Sequence, residues 1–438
     1  MRKVVALLSV TAVLASGCST QGRQDTSSPS PAASATAAAS STPSPDANSS
    51  DEALARLCPE PGKPSTPSKG GETPESVKQV QALVEDVRGL RFRSDVNTEI
   101  LGRAAFRKKL KQSSGVTDEQ YLDAQGRMLA TMGAVPEGTD LSKVLDDFGA
   151  SQVIGFYDPG TNELVVSSGG KLAPFDRVTL AHELVHAIED QNFDLGFIEK
   201  LSDGCRDDPA RAVLAVAEGS ATEYSLRVVE EHFSPEDKVK VVEKAADPGE
   251  QFAVPASVPD FVVDYLSWPY LAGFRFVEFR RSRGGETAVD ELYADPPSST
   301  EQIIHPAKYG VDEPQKVDVP DVASVLGEGW KDLAVIDAGE DFISVYLQQG
   351  MDTPKAQAAA SGWDGATVRS WAKGDETVVV LGSVWDTRSE AEQFGTAGSR
   401  FAEDAGIPHE VIQVGERVDV VYATSEGLVA SVASALTG

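Results

Sequence analysis

The sequence predicts an α+β protein: a mainly helical body holding one small antiparallel hairpin, followed by a small C-terminal α+β module. Three observations lead there. Apolar residues recur at helical spacing through most of the span from 74 to 350. Within it, the β-rich runs of SQVIGFYDPGTNELVVSSG flank Asp158-Pro159-Gly160-Thr161-Asn162, a turn signal that makes a hairpin. From about 362 the pattern changes: TVRSWA and ETVVVLGSVW read as strands, SEAEQFGTAGSRFAEDA as a helix, HEVIQV and RVDVVYA as strands, and EGLVASVASAL as a last helix.

Taken in order, residues 1–17 read as a secretory signal peptide: Arg2 and Lys3, an apolar run, then small residues. The run ends in LASGC, which resembles a bacterial lipobox and implies cleavage before Cys18 and diacylglyceryl attachment to its sulfur. The alternative is plain secretion with an incidental cysteine. The lipid would fix the chain to the outer face of the cell membrane, since no other stretch reaches the roughly 18 apolar residues of a spanning helix. Residues 18–73 are rich in Ser, Pro and Ala, too polar to offset the entropy of ordering, and read as a flexible tether.

The net charge is −29, from 68 acidic and 39 basic residues. Nucleic acid is excluded as a partner, because phosphate binding needs clustered Lys and Arg. Of three cysteines, acylation of Cys18 leaves Cys58 and Cys205, an even pair in an oxidising compartment, expected to be joined. The chain-entropy model gives such a long loop roughly 4–5 kcal/mol of stability. Two unrelated thiols are the alternative.

Helices follow at ESVKQVQALVEDVRGL, at EILGRAAFRKKLKQ and from about 117 to 132. The helix after the hairpin carries the chemistry: VTLAHELVHAIEDQ, with Asp176 able to cap it. His182 and His186 are four residues apart and share a face, so both imidazoles can reach one Zn²⁺. Glu183 sits beside that metal, placed to polarise a water. The plainer reading is an amphipathic helix whose histidines bond to core carbonyls or solvent.

A third histidine ligand in the HExxHxxGxxH pattern fails, because Glu189 and Asn192 hold those positions. A carboxylate from a second helix does not. In ARAVLAVAEGSATEYSLRVVEEH, Glu218 lies on the apolar stripe of Leu214, Ala217, Ala221 and Tyr224, where burial is costly unless it is paired or binds a metal. Gly219 beside it weakens the helix by about 1 kcal/mol, which close approach of another helix would explain. Glu223, Glu230 and Glu231 read as solvated charges, and His232 and His409 as surface residues.

Together, AHELVHAIEDQNFDL and AVAEGSATEY resemble the gluzincin metallopeptidases, the thermolysin-like clan. The following PYLAGFRFV and PPSSTEQIIHPAKY resemble a group of secreted or lipid-anchored bacterial proteins of that clan. The similarity covers roughly 76 to 310, and weakly the GWDG and WDTRSEAEQF stretches of the tail. It implies a zincin-like metallopeptidase domain over 74–350, with the module over 351–438. It further implies Zn²⁺ held by His182, His186 and Glu218, Glu183 as general base, and peptide-bond hydrolysis in a peptide, protein or cell-wall peptide. It also implies a downstream His or Tyr to stabilise the oxyanion: His305 first, with Tyr309 and Tyr270 as the others. Where these enzymes carry an Asp one turn after the ligand Glu, this chain has Thr222. Either Thr222 orients a histidine, or Asp190, one turn after His186, takes over. The hairpin would offer an edge strand to an extended substrate. Three other readings stay open: an inactive zinc-binding surface lipoprotein or scaffold, a zinc amidohydrolase acting on cell-wall peptides, and a metal-free lipoprotein whose tail module does the work.

Overall fold

The computed structural model describes residues 7–10, 49–59, 73–113, 118–169, 172–247 and 253–437. Cys18 and residues 19–48 and 60–72, the expected lipid site and most of the expected tether, lie outside them, while Ser50–Leu57 of that tether form a helix capped by the Ser49 hydroxyl, so the segment is not a flexible tether throughout. The class is α+β: two small sheets in a mostly helical chain.

The first sheet has the order β1-β3-β4-β2. Strand β1 (Leu7–Val10) is followed by helices α1 (Ser50–Leu57) and α2 (Glu75–Arg88), then β2 (Asn97–Leu101). Helices α3 (Arg103–Ser113), α4 (Glu119–Met132) and α5 (Leu141–Gln152) lead to the hairpin of β3 (Val153–Asp158) and β4 (Glu163–Ser167). Asn162 takes the left-handed φ of 52° that closes the expected turn. The stretch EILGRAAFRKKLKQ is not one helix. Its start belongs to β2, which runs parallel to β4 from Asn97 opposite Glu163 to Leu101 opposite Ser167. That pairing satisfies its backbone, and a run of three residues carries no period to reveal it. Helix α5 is an addition to the sequence expectation. Strand β1, inside the expected leader, pairs antiparallel with β3, with Ser9 opposite Gly155.

The helical body continues with α6 (Pro174–Phe193), α7 (Gly196–Asp203), α8 (Asp207–His232), α9 (Pro235–Ala246), α10 (Asp260–Ala294), α11 (Thr300–Ile304) and α12 (Ala323–Leu326). One core lies between α2, α6, α8, α10 and the hairpin, built on Val84, Leu184, Ile188, Val216, Tyr224 and Phe276. Each such side chain contributes about 1.5–3 kcal/mol by leaving water.

The second sheet is antiparallel, with the order β5-β6-β7-β9-β8. It comprises β5 (Lys331–Asp337), β6 (Trp363–Lys373), β7 (Glu376–Trp385), β8 (His409–Val414) and β9 (Arg417–Ala423). Helices α13 (Glu340–Gln348), α14 (Thr353–Ala360), α15 (Arg388–Ala405) and α16 (Glu426–Thr437) complete this part. The tail elements fall where the sequence predicts. The boundary at 351 does not hold for the sheet, because β5 pairs with β6, Val335 opposite Arg369. One core also runs unbroken from Met128 and Phe148 through Tyr265 and Phe342 to Trp363 and Tyr422, so the module is packed onto the body.

Candidate metal centre

Helix α6 starts at Pro174, whose fixed φ suits a first helical turn. Asp176 caps it from the third position: its carboxylate accepts from the Ala173 N–H at 3.1 Å and the Ser168 hydroxyl at 2.8 Å. From Val178 to Glu189 every residue is buried. His182, Glu183, His186 and Glu189 therefore point into protein, and each must find a partner there.

For the two histidines the partner is α8. Glu218 is 1% exposed. His182 Nε2 lies 3.1 Å from Glu218 Oε2, His186 Nε2 lies 3.4 Å from the same oxygen, and the two nitrogens are 3.2 Å apart. Three ligand-type atoms thus form a nearly equilateral triangle. Burial holds the His182 imidazole below its ordinary pKa, despite the hydrogen bond to Glu218, which favours the neutral form whose nitrogen can bind a metal. Burial alone would raise the Glu218 carboxyl, but His186 and His182 facing it bring it below its usual value. Among the described residues this is the one group of three or more such side chains that could hold a metal ion.

Gly219 has the role the sequence suggests. A Cβ there would stand 2.1 Å from the carbonyl carbon of Gly273 on α10, and one on Gly273 would stand 1.8 Å from the Ala215 carbonyl oxygen. The backbones of α8 and α10 touch, and only glycine at both positions permits it. Tyr270, one turn before Gly273, is thereby set beside the triangle. Its ring stacks on His182 at 6.2 Å, and its hydroxyl bonds with Glu218. Burial, then the charges of Glu218 and Glu183, push its pKa well up, so it stays a hydrogen-bond donor.

Glu183 is fully buried but outside the triangle. It faces β3, where a Cβ on Gly155 would lie 2.8 Å from Glu183 Oε1 and 2.9 Å from Thr179 Cγ2. Gly155 is thus the slot that admits the carboxylate. The sequence reading passed over it, although a glycine inside a strand is a sign of close approach.

Several expected residues sit elsewhere. Asp190 does not orient His186: Oδ2 accepts from the Tyr157 hydroxyl at 2.7 Å and Oδ1 from the Leu195 N–H at 2.9 Å, so both oxygens tie the hairpin to the end of α6. Thr222 is buried one turn from Glu218, with no hydrogen bond from its hydroxyl to either histidine among the described contacts. His186 Nδ1 is buried without a hydrogen-bond partner among the described residues. His305 caps α11 and lies 3.0 Å from Glu340 Oε1, and the Tyr309 hydroxyl donates to the Asp295 carbonyl at 2.5 Å. Of the three oxyanion candidates, only Tyr270 touches the triangle. Glu223 is buried against Arg281 at 2.6 Å and is no solvated charge. Cys58 and Cys205 lie near each other, with no bond between them in this structure.

Glu189, the last buried acid of α6, anchors a network the sequence does not announce. It accepts from Arg88 on α2 at 2.7 Å, the Ser220 hydroxyl on α8 at 2.5 Å and the Tyr293 hydroxyl on α10 at 2.6 Å. The Arg88 guanidinium also lies 4.8 Å from the Tyr224 ring centre. Four helices meet at one ion pair, three residues from His186 and two from Glu218. Removing one partner strands a buried charge, which costs about 3–5 kcal/mol. Arg88→Met is expected to lose that much in urea unfolding. A loss under about 1 kcal/mol would show that the pair does not hold the helices together.

Comparison with known proteins reaches only the C-terminal part. Residues 327–436 match the model of a domain of unknown function, DUF8575. No curated protein and no solved structure matches the chain. The matched span opens just before β5, in agreement with the sheet pairing.

The STEQIIHPAKY stretch serves the junction with the segment that matches DUF8575. His305 meets Glu340 of that segment, and Lys308 joins Glu301 at 2.6 Å, Asp312 at 2.9 Å and Asp386 at 2.8 Å. Burial outweighs Lys308 and pushes the Glu301 carboxyl up to about 7, while burial also raises Asp337 to about 6. His305 is raised chiefly by its bond to Glu340. Each group holds a proton more tightly folded than unfolded, so each contribution is full at low pH and is lost as pH rises through the folded pKa. Tm is expected to fall by roughly 4 °C or more between pH 5 and 8, and Glu301→Gln to flatten that fall. An equal slope in the variant would contradict the assignment.

Proposed function

We propose that this chain is a zinc-dependent peptidase of gluzincin type, held outside a bacterial membrane by lipidated Cys18. The observation that carries the reading is the triangle of His182, His186 and Glu218. Ligands 2.0–2.1 Å from a tetrahedral zinc stand about 3.3 Å apart, and the three separations here are 3.1, 3.2 and 3.4 Å. The donor set, two imidazoles and a carboxylate, suits zinc and leaves one position open.

A zinc ion held there supplies Lewis acidity to water and to a substrate carbonyl. Glu183 takes the proton of the attacking water and delivers it to the leaving amine. Tyr270, kept protonated by burial, donates to the developing oxyanion, the role the sequence first gave to His305. Gly155 leaves room for the Glu183 carboxylate, and the close approach of α8 and α10 at Gly273 sets Tyr270 beside His182.

An amide substrate is favoured by β3. Its outer edge accepts β1 as an antiparallel strand, with Ser9 opposite Gly155, the residue that faces Glu183. A peptide, a protein loop or a cell-wall peptide can present the same extended backbone. Among the described residues no helix is long and apolar enough to cross a membrane.

The test is metal content. Protein purified without chelator is expected to carry one zinc per chain; no stoichiometric zinc would overturn the reading.

A further inference from the structure

Helix α1 belongs to neither the metal centre nor the junction around His305, yet it bridges the two parts of the molecule. Its start is fixed to the run that leads into the DUF8575 domain. The Ser50 hydroxyl donates to the Val319 carbonyl at 3.1 Å and accepts from the Val319 N–H at 2.8 Å, and the Ser50 N–H donates to Asp318 at 2.7 Å. Asp51 pairs with Lys316, and Arg56 pairs with Asp332 of the edge strand β5 at 2.8 Å.

Its other end is Cys58, which caps the helix and lies on the body. The Cys58 thiol donates to the Asp203 carbonyl at 3.4 Å. Two residues further on, in the turn between α7 and α8, is Cys205, fully buried at a left-handed φ of 52°. That backbone favours glycine, and a cysteine held there against its preference points to a use for the side chain. The cysteines lie near each other, and Cys18 is the only other one in the chain.

We propose that α1 is a covalent strap: a Cys58–Cys205 disulfide ties the DUF8575 domain, through α1, to the turn that starts the helix bearing Glu218. The bond forms by exchange outside the membrane. The half-buried Cys58, as thiolate, attacks the disulfide of a dithiol–disulfide exchange catalyst and displaces one of its sulfurs. The Cys205 thiolate then attacks Cys58 Sγ and releases the second. The catalyst leaves as a dithiol, carrying the two electrons and two protons. None of this depends on the zinc reading.

The test is a peptide map of the full chain, isolated from bacterial cell envelopes without reductant and blocked with iodoacetamide. One cross-linked pair of peptides, carrying Cys58 and Cys205 and two hydrogens lighter than their sum, is expected, with neither thiol alkylated. Alkylation of both residues, or a bond between two chains, would overturn the proposal. Reductant is expected to lower Tm by roughly 5 °C or more. Cys58→Ser, at the more exposed position, is expected to reach the same value and gain no further shift from reductant. A reductant effect that survives Cys58→Ser would also overturn it.

Discussion

Glu183→Gln is expected to keep one zinc per chain and to lose hydrolysis by about 10²–10⁴-fold in kcat, the usual contribution of a positioned base. The side chain is buried outside the triangle of ligand atoms, so the amide leaves the metal set untouched. It has the same volume and fits the same space beside Gly155. What it lacks is the ability to take a proton. KM should change little, because the proposed binding of substrate along β3 does not involve the proton on Glu183. Unchanged hydrolysis would remove Glu183 from its assigned role, and a loss of zinc would place it among the ligands.

The second large effect is the removal of a ligand. His186→Ala leaves Glu218 facing one imidazole across a buried gap. Zinc that binds only the folded chain stabilises it by about 4 kcal/mol when free zinc is a thousandfold above its Kd. Chelator is therefore expected to lower the wild-type Tm by several degrees. In His186→Ala the same chelator should change nothing, whatever the substitution itself costs. A chelator shift of equal size in the variant would show that the metal sits elsewhere.

Much of this site is written in local sequence. The spacing of His182 and His186 needs only helical geometry. Glu218 stands out because it interrupts an apolar stripe, and Gly219 because a glycine inside a helix demands a reason; Gly273 supplies it. The hairpin follows from its turn residues. What the sequence withholds depends on which elements meet. His305 stands ahead of Tyr270 as the donor until α10 is laid against α8 and α11 against Glu340. Asp190 has the right spacing to orient a histidine, but the hairpin and the turn after α6 claim both its oxygens. Glu189 reads as an ordinary helical acid, and only the packing of α2, α8 and α10 around it reveals a buried ion pair. Strand β5, lying in a helical stretch, is recognisable only once β6 is beside it.

The most direct measurement of the central claim is a mass-spectrometric search for newly made chain ends. Zinc-loaded protein would be incubated with a peptide library and, separately, with isolated cell-wall peptides. New ends at internal amide bonds, absent with chelator and with Glu183→Gln, are the predicted result. No new ends in either substrate, from protein carrying its full zinc, would contradict the account.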